Sequence, residues 1–396
     1  MLLKTQTRRV LIIIVLLLGI GVVTYIYYKP SLESETYPGA LSKSKVDVCT
    51  EDCLEAVKEK NDQILKDCLV NNRLSKQKAE DKVSNLETKN ENQRDFEAEI
   101  LVLVWVWPFG APFPVDNCEP VFGIKNCRIT DDRSQYEKAH AVLFHVRDIY
   151  NQIPVLQKLP RFPLQMWVWM NSESPDFSPR LNGADDLFNL TSNYRRDSDI
   201  WTPYGWVMKA TEEEKAVQIP KKDKLVCWIV SHWDDNFPRV KYFNELSKHV
   251  HVDGFGNHFN KRISNEDYFN VIRSCKFYLS FENSIFRDYI SEKVYNPLVL
   301  GTVPVVIGPP RANYEEFIPR NAFIHINDFK TPKDLAEHLK LADQNQEIYE
   351  SYFDWRKTFV AKLGRPEEHA CRTCEYIRMN RNFRVFKNVN KWYFEE

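Results

Sequence analysis

Glu173 follows an apolar run and carries a group that could accept a proton. It comes three residues after Met166–Met170, a run that contains Trp167 and Trp169. A carboxylate near apolar rings has a raised pKa and can act as a general base. The competing interpretation is an ordinary turn at the end of a strand.

A second segment, Phe281–Lys293, places amide, phenol, carboxylate and ammonium groups where an apolar strand gives way to a helix predicted to begin near Tyr289. Asn283 and Glu292 can hold sugar hydroxyls, and Lys293 can neutralise a diphosphate. A sugar nucleotide requires this mixture of groups. The alternative is helix capping with a surface Glu-Lys pair.

A third segment repeats the arrangement. Ser231 and His232 follow the apolar run Leu225–Val230, and Arg239 falls in the first turn of the next predicted helix. A guanidinium beside a helix N-terminus can meet phosphates. Without other support, a solvent-facing arginine is the more common explanation of such a residue.

Asp197-Ser198-Asp199 is the pattern that holds a divalent cation in one glycosyltransferase architecture. It follows Arg195 and Arg196, which we predict to be its salt-bridge partners. A metal site is therefore the weaker of two interpretations, and no metal is predicted.

The chain has nine cysteines. Six lie beyond residue 100, and in an oxidising compartment they suggest three disulfides, although spacing alone leaves the pairing open. Cys371-x-x-Cys374 with His369 could instead be half of a zinc site. The others, Cys49, Cys53 and Cys68, are an odd number and raise the hypothesis of a disulfide-linked homodimer.

Short apolar runs alternate with amphipathic stretches beyond residue 100, a pattern typical of a parallel α/β sheet. The predicted strands are Ile100–Trp107, Ala139–Val146, Met166–Met170, Leu225–Val230, Phe277–Phe281, Val303–Ile307 and Phe323–Ile326. The predicted helices include Val240–His249, Tyr289–Leu300 and Pro332–Ala342. A gap near residues 205–224 suggests two Rossmann-like halves, whose ligands would lie at the carboxyl ends of the strands.

The N-terminal region predicts a membrane anchor. Residues 10–28 carry no charge and would span about 28 Å as a helix. Lys4, Arg8 and Arg9 precede them, which favours a cytoplasmic N-terminus and a lumenal remainder. A cleaved signal peptide is the alternative, but Tyr25–Tyr28 makes a poor cleavage site. The short span favours an early secretory membrane.

Two further features bear on partners and surface. The 54 basic residues balance 55 acidic ones, so global electrostatics gives no case for nucleic-acid binding. Asn189-Leu190-Thr191 is a glycosylation sequon with Asn189 as its acceptor, and if it is used it places that turn on the lumenal surface.

Taken together, these motifs resemble the animal α-1,3-fucosyltransferases of glycosyltransferase family 10, and most closely the vertebrate Lewis-x-forming type 9 enzymes. The resemblance runs from about residue 100 to the C-terminus. It is carried by Trp105–Gly110, Trp167–Pro175, Phe188–Ile200, Phe277–Ile285, Tyr289–Asn296 and Gly301–Arg311.

The resemblance implies a GT-B-type fold of two Rossmann-like domains and an inverting, metal-independent enzyme. Fucose would pass from GDP-β-L-fucose to the 3-hydroxyl of N-acetylglucosamine in type 2 lactosamine glycans, in the Golgi membrane. The implied organisation is a cytoplasmic tail (1–9), a signal anchor (10–28), a helical stem (29–98), an acceptor-binding domain (99–215), a donor-binding domain (216–363) and a tail that packs back on the first domain (364–396).

The resemblance also assigns roles. Glu173 is the general base, and Arg239 and Lys293 contact phosphate. Further donor contacts are Asn283, Tyr289, Glu292, Tyr204, Ser231, Tyr278 and the backbone near Ile229 and Ile263. His232 replaces an Asn beside the donor, Ala111 replaces a Gln that holds acceptor, and Arg147 accompanies type 2 acceptors. The implied disulfides are Cys118–Cys371, Cys127–Cys374 and Cys227–Cys275.

Two other functions fit parts of the sequence. One is a metal-dependent transferase of another sugar nucleotide, which would use Asp197 and Asp199. The other is a catalytically inactive, membrane-tethered lectin, which would not need a base together with two phosphate-binding cations.

Overall fold

The computed structural model describes residues 98–215, 218–380 and 382–395. The predicted signal anchor at 10–28 and the stem cysteines Cys49, Cys53 and Cys68 lie outside these residues. No helix in the described ranges is long and apolar enough to cross a membrane.

The described strands are β1 (Ile100–Val104), β2 (Cys127–Thr130), β3 (Ala141–His145), β4 (Met166–Met170), β5 (Leu190–Asn193), β6 (Ile200–Trp201), β7 (Gly205–Lys209), β8 (Lys224–Ile229), β9 (Asp253–Phe255), β10 (Cys275–Phe281), β11 (Val303–Ile307), β12 (Ile324–His325) and β13 (Phe359–Leu363).

The described α-helices are α1 (Cys118–Phe122), α2 (Val146–Ile149), α3 (Ile153–Leu156), α4 (Glu212–Lys215), α5 (Pro238–Leu246), α6 (Asn265–Ser274), α7 (Glu292–Leu300), α8 (Arg311–Glu315), α9 (Pro332–Gln344), α10 (Gln346–Ser351), α11 (Glu368–Met379) and α12 (Val389–Phe394). Short 3-10 helices cover Pro108–Gly110, Arg133–Lys138, Pro175–Phe177, Asn257–Phe259, Ile326–Asp328 and Asp354–Lys357.

Two parallel sheets organise the described chain. The first has the order β2-β1-β3-β4-β5-β6, and the second has the order β12-β11-β10-β8-β9. β1, β3, β4 and β11 are buried along their whole length, as continuous apolar runs predict for strands covered on both faces. The predicted α/β class with parallel sheets is confirmed.

A small antiparallel sheet pairs β7, which lies within the stretch 205–224 between the two strand clusters, with β13 near the C-terminal end. The sequence analysis predicted neither β7, although Trp206, Val207 and Met208 form a short apolar run, nor β5. β5 carries Thr191, Ser192 and Asn193, which are buried because each side chain is hydrogen bonded: Thr191 to Asp199, Ser192 to His369 and Asn193 to the Asn171 carbonyl.

One predicted helix start is wrong. The helix expected near Tyr289 begins at Glu292, because Ser291 is its N-cap and the Ser291 hydroxyl accepts a hydrogen bond from the Lys293 amide. Asp288 has a φ of 62°, so the chain turns before the helix begins. Tyr289 therefore lies in the preceding loop with its ring buried.

Three disulfides join cysteines of the described part, and they are the pairs that the family resemblance implies. Cys118–Cys371 and Cys127–Cys374 tie α11 to α1 and β2, whereas Cys227–Cys275 links the adjacent strands β8 and β10. Because both sulfurs of the Cys-x-x-Cys motif are in disulfides, neither is a free thiolate for zinc.

The predicted surface position of the sequon is wrong. Asn189 is fully buried, and its amide nitrogen donates to the Arg384 carbonyl at 2.6 Å. Its side-chain oxygen accepts from the Trp167 amide and from Arg161, each at 2.7 Å. This amide is a structural link between strands and tail, and a glycan on its nitrogen would displace that packing.

Candidate active site

The carboxyl ends of β4 and β10, from different sheets, meet through two buried serines. The Ser284 hydroxyl donates to the Ser174 hydroxyl at 2.5 Å. Ser174 follows Glu173, and Ser284 follows Asn283. The fold therefore brings the predicted base and the predicted donor segment to one place.

Glu173 sits half-buried in the loop after β4, with its backbone held on both sides. Its amide donates to the Asn171 side chain at 3.2 Å, and its carbonyl accepts from the Tyr393 hydroxyl. Burial raises the pKa of the Glu173 carboxyl, while the positive charges of Arg147 and Lys293 oppose that rise. A carboxylate in this setting can serve as a general base.

Lys293 is fixed at the start of α7 by a carboxylate that the sequence prediction left without a role. Its ammonium lies 3.4 Å from Glu282, 3.0 Å from Glu292 and 2.9 Å from the Ser291 hydroxyl. Burial would lower the pKa of Lys293, but the two carboxylates outweigh burial and raise it. The lysine is therefore held in its charged form.

Glu282 is buried completely and is satisfied by Ser291, whose amide and hydroxyl donate to its two oxygens at 2.8 and 2.7 Å. Burial raises the pKa of the Glu282 carboxyl, and Lys293 opposes that rise. Glu282 thus links the end of β10 to the cap of α7 and to the predicted phosphate contact.

Arg239 lies in the first turn of α5 and is buried. Arginines are seldom fully buried unless a charged group pairs with them. One terminal nitrogen donates to the His232 carbonyl at 2.6 Å, but its Nε has no hydrogen-bond partner among the described residues. A buried guanidinium N–H without a partner is costly, and an anionic ligand would satisfy it.

Three tyrosine rings pack together beside these charged groups. The rings of Tyr194, Tyr204 and Tyr289 pack together, with centroid distances between 5.1 and 6.3 Å. Burial raises the pKa of Tyr289, and Glu282 raises it further. The Tyr204 hydroxyl donates to the Ser172 carbonyl. Burial raises the pKa of Tyr194 and Tyr204 as well, so all three phenols keep their protons.

Arg147 lies at the rim of the site, on the first-sheet side. Its guanidinium lies 5.5 Å from the ring of Phe109 and donates to the Phe177 carbonyl at 3.5 Å. The Asp148 carboxylate accepts a hydrogen bond from the Phe109 amide. Phe109 has a φ of 54° and is 59% exposed. Ala111 follows in the same exposed loop.

The other residues predicted to contact the donor lie in the loop after β8, on β10 and in the loop before α6. Ser231 and His232 are exposed after β8, and the His232 ring touches Phe237 and Phe177, with centroids 5.3 and 6.2 Å away. Tyr278 is buried, and its hydroxyl interacts with the Ile229 backbone. Ile263 lies half-buried in the loop before α6.

The two aspartates of the D-x-D pattern are engaged by arginines. Arg195 forms a two-pronged contact with Asp197 at 2.9 and 2.7 Å, as predicted. Asp199 pairs with Arg384 at 2.8 Å and accepts from Thr191. Arg196 pairs instead with Glu316. Of the two arginines predicted to pair with the D-x-D pattern, Arg195 was therefore right and Arg196 was wrong.

Sequence reasoning missed the C-terminal residues that reach the site. His369 on α11 contacts Ser172 at 3.1 Å and Ser192 at 2.7 Å. Burial lowers the pKa of His369 to about 3, and nearby His145 adds to the effect, so the ring is neutral. Tyr393 on α12 holds the Glu173 carbonyl. Both contacts join residues that are far apart in the sequence, so the sequence did not predict them. The implied disulfides of Cys371 and Cys374 did indicate that the segment around His369 packs on the first domain.

The site thus combines a half-buried carboxylate after β4 with two cations, Arg239 and Lys293, in the first turns of α5 and α7. Two family models match the chain: "Fucosyltransferase, N-terminal" over residues 97–205, and "Glycosyltransferase family 10 (fucosyltransferase) C-term" over residues 219–392.

Relatives agree with these matches. The chain is 46% identical over 314 residues to 4-galactosyl-N-acetylglucosaminide 3-alpha-L-fucosyltransferase 9 of Mus musculus, covering 78% of this chain and 87% of that protein. It is 40% identical over 298 residues to 4-galactosyl-N-acetylglucosaminide 3-alpha-L-fucosyltransferase FUT6 of Pongo pygmaeus, covering 74% and 82%. A crystal structure of an α1,3-fucosyltransferase with GDP-fucose aligns with a TM-score of 0.43 at 13% identity, covering 68% of this chain and 84% of that chain.

The chain belongs to glycosyltransferase family 10, the fucosyltransferases. The family inferred from the sequence motifs is thereby confirmed.

Proposed function

We propose that this chain transfers L-fucose from GDP-β-L-fucose to the 3-hydroxyl of N-acetylglucosamine in type 2 lactosamine glycans of glycoproteins and glycolipids. The relatives' names support this acceptor and linkage. The observation that carries the proposal is the convergence of Glu173, Lys293 and Arg239 from two sheets. Lys293 acts on the charge of Glu173 and lies 3.4 Å from Glu282, and Glu282 acts in turn on the charge of Arg239. This arrangement brings a base close to cations suited to a diphosphate.

In the proposed reaction, the acceptor oxygen attacks C1 of fucose while the Glu173 carboxylate takes its proton. The bond from C1 to the diphosphate breaks, and its electron pair leaves with GDP. Attack from the opposite face turns a β-linked fucose into an α-linked one. Arg239 and Lys293 stabilise the negative charge that develops on the diphosphate, and Asn283, Tyr289 and Glu292 hold the donor.

Metal independence is part of the proposal. The positive charges of Lys293 and Arg239 can stabilise a departing diphosphate, as a divalent cation does in metal-dependent transferases. Asp197 and Asp199 already pair with arginines. We expect unchanged turnover in EDTA. Loss of activity in EDTA, restored by a divalent cation, would contradict this part of the proposal.

The direct test incubates the purified full-length chain with labelled GDP-fucose and N-acetyllactosamine. We expect an α-1,3-fucosylated trisaccharide by mass spectrometry and NMR, and far weaker use of UDP-sugars. Binding of the glycan without product would favour the lectin alternative, and efficient use of a UDP-sugar would favour the other transferase.

We further propose a GT-B arrangement of two Rossmann-like domains on a type II Golgi anchor. The apolar span at 10–28 and the three disulfides, which suit an oxidising lumen, support this topology. Protease protection of the catalytic region in sealed vesicles would test it. A monomer band on a non-reducing gel would remove the stem-linked homodimer through Cys49, Cys53 or Cys68.

A further inference from the structure

The backbone that carries Glu173 is held by a tyrosine from the far C-terminal end of the chain. The Tyr393 hydroxyl donates to the Glu173 carbonyl. Two other donors reach the same oxygen, the Ser178 hydroxyl and the Asn171 amide, but each lies 3.4 Å away. Among the described residues, Tyr393 therefore makes the one close hydrogen bond to this carbonyl.

The two weaker donors are committed elsewhere. Ser178 donates to the Ser174 carbonyl at 2.8 Å, and Asn171 donates to the Ser178 hydroxyl at 2.8 Å. Ser178 has one proton and cannot replace Tyr393 without giving up its shorter bond. If Tyr393 were lost, the second N–H of Asn171 would reach the Glu173 carbonyl only over 3.4 Å. The carbonyl would then be left poorly paired in a loop that is largely buried.

Tyr393 is itself immobilised. Its side chain is 1% exposed and packs against Trp169 of β4, with ring centroids 4.8 Å apart. Its hydroxyl lies 3.3 Å from that of Tyr194. Burial raises the pKa of Tyr393 to about 12, so the hydroxyl keeps its proton and remains a donor.

We propose that Tyr393 is a positioning residue that fixes the general base Glu173 through its main-chain carbonyl. Resting on the proposed function, this inference gives the C-terminal helix α12 a part in the reaction without any contact to substrate. The carboxylate must approach the acceptor hydroxyl within hydrogen-bond range, and a base displaced by about 1 Å can cost on the order of 100-fold in rate.

The test compares Tyr393→Phe with wild type and with Tyr136→Phe in the full-length chain. Tyr136 is a matched control because its hydroxyl also donates to a main-chain carbonyl, that of Pro160 at 2.7 Å. For Tyr393→Phe we expect kcat to fall roughly 10- to 100-fold, with the dissociation constant of GDP-fucose unchanged. For Tyr136→Phe we expect kcat to be unchanged.

A pH profile separates positioning from loss of stability. If the loop loosens, Glu173 becomes better hydrated and its raised pKa falls, so the acidic limb of kcat/KM moves to lower pH. A variant that merely folds less well would lose amplitude at every pH without moving the limb. Should Tyr393→Phe fail to fold, Tyr194→Phe, which removes the neighbouring hydroxyl, is expected to show a smaller loss of kcat and the same direction of shift.

Different outcomes would overturn the proposed function and the positioning role of Tyr393. Inactive wild type with GDP-fucose and N-acetyllactosamine would defeat the proposed function. Active wild type with an equally active Tyr393→Phe, or an equal loss of kcat in Tyr136→Phe, would overturn the positioning role alone.

Discussion

The hydroxyl of Ser284 donates to the hydroxyl of Ser174 at 2.5 Å, and both side chains are buried. One serine ends the loop after β4 that carries Glu173, and the other follows Asn283 after β10. The contact therefore sets the distance between the proposed base and the proposed donor site. A small polar pair, rather than either reactive group, joins the two sheets at this point.

Removing either serine hydroxyl should leave the other buried without its partner. We expect Ser174→Ala and Ser284→Ala each to lower the free energy of unfolding by about 1–3 kcal/mol, and the double variant to cost less than the sum. Denaturant unfolding of the four proteins would measure this coupling. Ser247→Ala, at an exposed hydroxyl, serves as the control, and strict additivity would contradict a direct bond.

Arg239 and Lys293 should act on donor binding. We expect Arg239→Lys to weaken GDP binding roughly 10- to 100-fold, because the lysine cannot place a donor where the unpaired Nε lies. Lys293→Met should weaken it similarly. Calorimetry with GDP measures both, and Lys276→Met, whose ammonium pairs with Asp343, is the control. GDP affinity equal to wild type in Arg239→Lys would remove the arginine from the donor site.

Much of the architecture was predictable because its strands are buried on both faces. β4, β10 and β11 appear in the sequence as apolar runs, and the residues after β4 and β10 are the ones that the fold brings together. The position of Arg239 in the first turn of α5 was also predictable. These features depend on local patterns.

Features that depend on distant partners were not predictable. The buried polar strand β5 requires His369 and Asp199, and the sequon residue Asn189 is buried because Arg384 and Arg161 satisfy it. Tyr393 reaches Glu173 across 220 residues. A single sequence does not show which distant polar groups will meet, so such residues look like surface or loop positions.

The pH dependence of activity should report the environment of Glu173. The base must be deprotonated, so kcat/KM should be retained above its pKa and lost as pH falls through it, at a pH above the usual range of a glutamate. Arg147 opposes the raised pKa, so Arg147→Gln should move the acidic limb to higher pH. Arg180→Gln, an exposed arginine, is the control. A shift to lower pH in Arg147→Gln would contradict this electrostatic account.

His369 should make stability depend on pH. Its pKa is about 3 in the folded protein and near 6.5 when unfolded, so the unfolded state binds more protons between these values. Its contribution is complete above pH 6.5 and declines as pH falls, by about 1.4 kcal/mol per unit. Denaturant unfolding at pH 7 and pH 5.5 should show a smaller difference for His369→Gln than for wild type. An identical difference would mean that His369 is not buried as a neutral ring.

The most direct test is Glu173→Gln, which keeps the shape of the side chain and removes its ability to take a proton. Calorimetry should give wild-type affinity for GDP-fucose, because the cations that hold the diphosphate are intact, while transfer to N-acetyllactosamine should fall roughly 100- to 10,000-fold. Asn171, which holds the Glu173 amide through its side chain, should still fix the loop. Transfer at the wild-type rate by this variant would contradict the assignment of Glu173 as the base.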